Sequence, residues 1–136
     1  MREFRIVVAA HSGLATALVR SAELICGELH GVSAVGIAPS DTPETFAVEL
    51  RRDMALDDRP VLVLTDLDGG TPSIVAATLA AERPGTIVVA GVTLGMLVEA
   101  ATGMSALDDA GVARLVDAAR AGIVDVTARL EARVRR

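Results

Sequence analysis

The chain predicts an α/β fold, a doubly wound and mostly parallel sheet with helices on both faces, on three observations. Short runs rich in Val, Ile and Leu alternate with stretches of helical periodicity. None of those runs alternates with polar residues, and strands buried on both faces read that way. Two Thr-Pro pairs, Thr42-Pro43 and Thr71-Pro72, look like an N-cap followed by proline at the first helical position.

Taken in order, a strand is expected over residues 4–10, ending at His11, where a Ser12-Gly13 break leads into a helix. Leu14, Leu18, Ala22, Ile25 and Leu29 mark the buried face of that helix, and His30 before Gly31 reads as a favourable charge at its C-terminal end. A second strand follows over 32–38, then a helix from Thr42-Pro43 with Phe46, Ala47, Leu50 and Met54 inward. The third strand covers 60–66, and the helix opened by Thr71-Pro72 turns Ile74, Ala77, Thr78 and Ala81 to the core. A fourth strand spans 86–92, after which Val112, Leu115, Val116 and Ala119 continue a helix. Crossovers between parallel strands are right-handed, so the helices cover both faces, and the common strand order is 2-1-3-4.

Beyond Gly122 the pattern changes. Val124, Val126, Ala128, Leu130, Ala132 and Val134 alternate with Asp125, Thr127, Arg129, Glu131 and Arg133, a period of two that favours an antiparallel edge strand with one wet face. Ile123, Val126, Thr127, Leu130 and Val134 also form a helical stripe, so both forms stay open.

Composition narrows the function. With 136 residues, 51% of them hydrophobic, residues 1–136 are expected to form one domain with a substantial core. A net charge of −5 and a pI near 4.9, with every positive charge an Arg and none in a stripe, argue against a nucleic-acid partner. Cys26 has no partner for an internal disulfide and is expected in the core, and no metal site or cofactor is expected. The N-terminus lacks the layout of a signal peptide and the longest uncharged stretch, 84–98, is too short to span a bilayer, so the expected location is cytoplasmic.

His11 is the most informative side chain. Open α/β sheets bind ligands beyond the carboxyl ends of their strands, and imidazole can exchange protons or attack phosphorus near neutral pH. If the first and third strands are neighbours, Asp66 faces His11 across the crevice. A carboxylate on Nδ1–H fixes the tautomer and leaves Nε2 as the nucleophile. Gly69, Gly70 and Thr71 then form an anion cradle at a helix start, where free amides and the helix dipole favour a phosphate. Ser12 and Asp68 lie beside the site as candidate modulators, Asp68 being equally readable as a solvated loop charge. Glu99 reads as part of a solvated helix face.

Three blocks carry a resemblance over nearly the whole chain: Ala10-His11-Ser12-Gly13-Leu14-Ala15, with Ser21-Ala22-Glu23 further on; Asp66-Leu67-Asp68-Gly69-Gly70-Thr71-Pro72; and Ala90-Gly91-Val92-Thr93-Leu94-Gly95-Met96-Leu97-Val98-Glu99. The sequence resembles the enzyme IIA component of the mannose family of the bacterial phosphoenolpyruvate-dependent sugar phosphotransferase system. The resemblance implies a phosphoryl carrier that accepts phosphate from the phosphocarrier HPr on His11. It also implies transfer to a IIB component that serves sugar uptake through a membrane permease complex, and a homodimer whose C-terminal strand is exchanged between subunits.

The chain departs from that pattern at two positions. Asp68 stands where the family often has an aromatic residue, and a carboxylate turned inward would repel a phosphoryl group. Gly95 stands where the third block usually has proline, which leaves that loop freer. Two other functions fit the same frame: a IIA-like donor for a dihydroxyacetone kinase, for which a different loop in place of Gly69-Gly70-Thr71-Pro72 is expected, and a non-enzymatic small-ligand or regulatory module.

Overall fold

In the computed structural model, which describes residues 2–135, four strands form one sheet. They are β1 (Arg5–His11), β2 (Val32–Ile37), β3 (Val61–Thr65) and β4 (Thr86–Ala90). The order is β2-β1-β3-β4 and every pairing is parallel, as the alternating pattern predicts. The helices are α1 (Leu14–Cys26), α2 (Pro43–Met54), α3 (Thr71–Glu82), α4 (Leu94–Gly103), α5 (Asp109–Ala121) and α6 (Val126–Val134).

The unbroken apolar runs of the central strands follow from their having two buried faces. Ile6, Val8, Ala10, Leu62 and Leu64 pack with residues of α1, α4 and α5. Val7, Ala9, Val61 and Val63 point the other way, onto Phe46, Leu50 and Met54 of α2 and Val75, Ala76 and Leu79 of α3. Successive side chains of a strand alternate faces, so a run with no polar member fills both layers.

Local chemistry sets most helix starts. Thr42 caps α2, its hydroxyl accepting from the Thr45 amide while the Thr45 hydroxyl accepts from the Thr42 amide, and Pro43 follows at the first helical position. The cap of α3 is different from the one predicted. Gly70 is the N-cap, Thr71 is already helical, and no side chain caps this end. Proline therefore stands second, where its missing N–H still costs no helical hydrogen bond.

Periodicity selected the wrong face in α3 and the right one only in part in α1, where Ala22 is buried and Leu18, with Leu29 just beyond the helix, packs against the core. In α1, Leu14 and Ile25 are exposed while Ala15 and Ala22 are buried, with Leu18, Val19 and Cys26 half-buried. The expectation of a fully buried Cys26 is corrected accordingly. In α3, Ile74, Ala77, Thr78 and Ala81 face solvent, and Pro72, Ser73, Val75, Ala76 and Leu79 pack inward. This helix is apolar nearly all round, so its sequence offers no polar face to turn outward, and the position of the sheet decides. His30 is also relocated: α1 stops at Gly27, which has a φ of 79°, and His30 lies in the turn before β2, its carbonyl accepting from the Arg2 guanidinium.

The predicted helix after β4 is two helices. α4 ends at Gly103, and α5 restarts at Asp108, whose carboxylate accepts from the Gly111 amide at 2.7 Å.

The C-terminal segment is helical, which corrects the favoured edge strand. Asp125 caps α6, accepting from the Ala128 amide at 2.9 Å. A helix satisfies its backbone from within, whereas a strand depends on a neighbouring edge, so the i, i+4 stripe Val126, Leu130, Val134 prevails here over the period of two. No residue of α6 is buried. Among the described residues no helix is long and apolar enough to cross a membrane.

Candidate functional site

The parallel register brings the two predicted residues together. Ala9 lies opposite Thr65, so His11 at the end of β1 and Asp66 just past β3 meet above the carboxyl edge of the sheet. Between β1 and β3 the chain winds away in opposite directions, and a crevice opens at such a point.

One carboxylate oxygen holds the histidine twice. Asp66 Oδ2 accepts from the His11 backbone amide at 3.0 Å and lies 2.8 Å from Nδ1. A carboxylate can only accept, so in the neutral imidazole Nδ1 carries the proton and Nε2 keeps its lone pair. Burial pushes the Asp66 carboxyl up, but the His11 amide and ring N–H outweigh it and hold the group below its ordinary 3.8. Asp66 is therefore a carboxylate near neutral pH. His11 is 48% exposed against 13% for Asp66, so the acid is sheltered and the imidazole reaches outward. Asp66 Oδ1 is buried with no hydrogen-bond partner among the described residues.

The walls of the site come from two turns. Gly69, with a φ of 79°, reverses the chain in a region where a Cβ is unfavourable. Gly70 serves proximity instead: a Cβ there would stand 3.1 Å from His11 Cε1 and 3.2 Å from the Leu67 carbonyl oxygen. The Gly70 amide donates to that carbonyl at 3.1 Å, so it is spent on the turn and is not free for an anion. The first bond within α3 runs from the Ile74 amide to Gly70, which leaves the Thr71 and Ser73 amides at the helix start without an acceptor one turn earlier. Asp68 is exposed and makes no hydrogen bond or ion pair with the described residues, His11 included. Glu99 is exposed on α4, as expected. Gly95 lies in the first turn of α4, which Thr93 closes by accepting from the Met96 amide at 3.1 Å.

Ser12 is the one non-glycine residue with a left-handed backbone among those described, at φ 54°. Such a conformation persists when its surroundings over-determine it, and it clusters at functional sites. Here the Ser12 amide donates to the Ile37 carbonyl at 2.9 Å, while the Ser12 carbonyl oxygen lies where a Cβ on Gly36 would be. Gly36 therefore makes room for the backbone that carries His11. Gly36 is not among the residues predicted for the site; its signal is a lone glycine inside a strand pattern, which marks close approach of another backbone.

A family model described as the PTS system fructose IIA component matches residues 5–119, a span that stops within α5 and leaves α6 outside. The PTS system mannose-specific EIIAB component of Escherichia coli is 32% identical over 124 residues, which are 87% of this chain and 38% of that protein. The chain thus spans well under half the length of that relative. The PTS system sorbose-specific EIIA component of Klebsiella pneumoniae is 32% identical over 94 residues, 68% of this chain and 69% of that one. Among solved structures, the mannose/sorbose specific IIA subunit of the phosphotransferase system from Enterococcus faecalis superposes with a TM-score of 0.86 at 28% identity, covering 93% of this chain and 96% of that one. The three-block resemblance, the parallel 2-1-3-4 sheet and these matches agree, and the chain belongs to the mannose/fructose family of phosphotransferase-system IIA components.

Proposed function

We propose that the protein is a phosphoryl carrier for sugar uptake, with His11 Nε2 as the acceptor. The observation that carries the reading is the 2.8 Å contact of Nδ1 with Asp66 beneath a half-exposed imidazole. A phosphorylated histidine of HPr is the donor: the Nε2 lone pair forms a bond to phosphorus as the donor's P–N bond breaks, and its electron pair returns to the donor imidazole. Asp66 stabilises the Nδ1–H side of the ring as charge builds. The free Thr71 and Ser73 amides and the dipole of α3 favour the anionic phosphoryl group, and Gly69 and Gly70 shape the turn that lets it approach. A IIB component then takes the group onward, to a sugar handled by a membrane permease complex. Residues 1–136 act as one cytoplasmic IIA domain in this reading, and no cofactor takes part.

We also infer a homodimer. The outer edge of β4 has no strand beside it among the described residues. The segment after α5 carries Ile123, Val124, Val126, Leu130 and Val134 into solvent, Ile123 at 80% and Val134 at 86% exposure. Apolar surface of that kind is covered by a second copy when the subunits associate.

The test is labelling with radioactive phosphoenolpyruvate, enzyme I and HPr. Wild-type protein is expected to take up an acid-labile label and His11→Ala to take up none; an unlabelled wild type, or a labelled His11→Ala, refutes the assignment.

A further inference from the structure

We propose that Ser73 and Thr65 are positioning residues for the acceptor histidine, an inference that rests on the phosphoryl-carrier reading. Thr65 ends the otherwise aliphatic strand Val61–Thr65 and is wholly buried, and Ser73 in the first turn of α3 is nearly so. Buried hydroxyls are costly unless hydrogen-bonded, and apolar side chains of similar size would fill the same space. Their oxygens are 2.6 Å apart, and Ser73 Oγ lies 2.6 Å from the Leu67 carbonyl oxygen.

The direction of the chain of bonds follows from its end. A carbonyl only accepts, so the single Ser73 hydroxyl hydrogen goes to Leu67, and Thr65 must donate to Ser73. The relay runs from the end of β3, through the start of α3, to the turn between them. The Leu67 carbonyl also accepts from the Gly70 amide at 3.1 Å, so it is held from two sides.

That carbonyl sits between the two contacts that fix the imidazole. Asp66, one residue before it, holds Nδ1 and the backbone amide of His11. Gly70, three residues after it, lies against His11 Cε1, and a Cβ placed there would touch both the imidazole and the Leu67 carbonyl. Movement of the Leu67 carbonyl therefore shifts both walls of the imidazole together. The hydroxyl pair thus does more than satisfy itself: it sets the register of the turn against the strand end on which the nucleophile stands.

The test uses Ser73→Ala, Thr65→Val and Thr65→Ser in the full chain, with two readings. One is the rate of labelling from phosphorylated HPr; the other is the imidazole nitrogen NMR signature of the Nδ1–H tautomer of His11. Ser73→Ala is expected to slow labelling about tenfold and to weaken the Nδ1–H signature, since small misplacements of reacting groups cost that much or more. Thr65→Val produces the same changes at smaller size, and Thr65→Ser, which keeps the hydroxyl, restores both readings to wild type. A Ser73→Ala protein that melts earlier but labels and resonates like wild type overturns the proposal. If Ser73→Ala does not fold, Thr65→Val against Thr65→Ser decides by the same readings. If wild type takes no label, the carrier reading fails and the tautomer signature alone judges the positioning role.

Discussion

The turn from Asp66 to Ser73 and the segment from Gly122 to Arg135 both mix apolar and polar residues over a short stretch, yet they reach opposite conditions. In the turn, side chains are tied to other elements, Asp66 to His11 of β1 and Ser73 to Thr65 of β3, and the Gly70 amide closes the turn on the Leu67 carbonyl. In the C-terminal segment, the hydrogen bonds of α6 and its Asp125 cap are local, and no residue of the helix is buried. The first region is held by the fold and is built for one geometry. The second is held by its own backbone and keeps its apolar surface for something else.

That contrast can be tested from its strongest side downward. Asp66→Asn leaves an amide where a charged acceptor stood, and labelling of His11 is expected to slow about 100-fold or more while the folded state persists, because the group that fixes the nucleophile's tautomer and stabilises the charge building on its ring is lost. A rate within a factor of about two of wild type would remove Asp66 from the mechanism.

The same variant exposes the pH dependence. Because the Asp66 carboxyl is held below its ordinary 3.8 in the folded chain, its contribution to stability is fully present above that value. It is lost as pH falls through the lower folded value. The stability gap between wild type and Asp66→Asn, followed by chemical unfolding, should therefore be present at about pH 5 and close at more acid pH as the carboxylate takes up its proton. A gap that widens below about pH 4 would mean that the carboxyl is raised rather than lowered.

Gly36→Ala is next in size. Its Cβ would meet the Ser12 carbonyl oxygen, a backbone atom that cannot swing aside, so a loss of about 2 kcal/mol in unfolding free energy is expected, with slower labelling because Ser12 follows the nucleophile. Unchanged stability would show that the Ser12 turn is free to relax. The smallest effect belongs to the other region. Leu130→Asp on α6 should change the unfolding free energy of the isolated chain by no more than about 0.5 kcal/mol, yet shift the mass in solution from dimer to monomer. A wild-type protein that is monomeric at working concentration would remove the inferred dimer.

The nucleophile, its acid and the turn were legible because each carries a local signal. His11 follows an apolar run and precedes a break, and Asp66 precedes paired glycines at a helix start. Gly36 and the Thr65–Ser73 pair were not, since a glycine in a strand and two hydroxyls eight residues apart acquire meaning only when the fold brings their partners against them. The Gly70 amide, expected to be free for an anion, is occupied for a related reason: whether a donor is available depends on the turn closing back on the Leu67 carbonyl.

Strand number, parallel pairing, helix starts at Thr42 and near Thr71, and a reactive imidazole at a strand end are written in hydrophobic periodicity and turn chemistry, which act between residues close along the chain. The buried face of α3, the exposure of Leu14 and Ile25 and the space beside Ser12 are not. Those depend on which surfaces the sheet offers, and a side chain's burial is decided by partners that arrive from elsewhere in the chain.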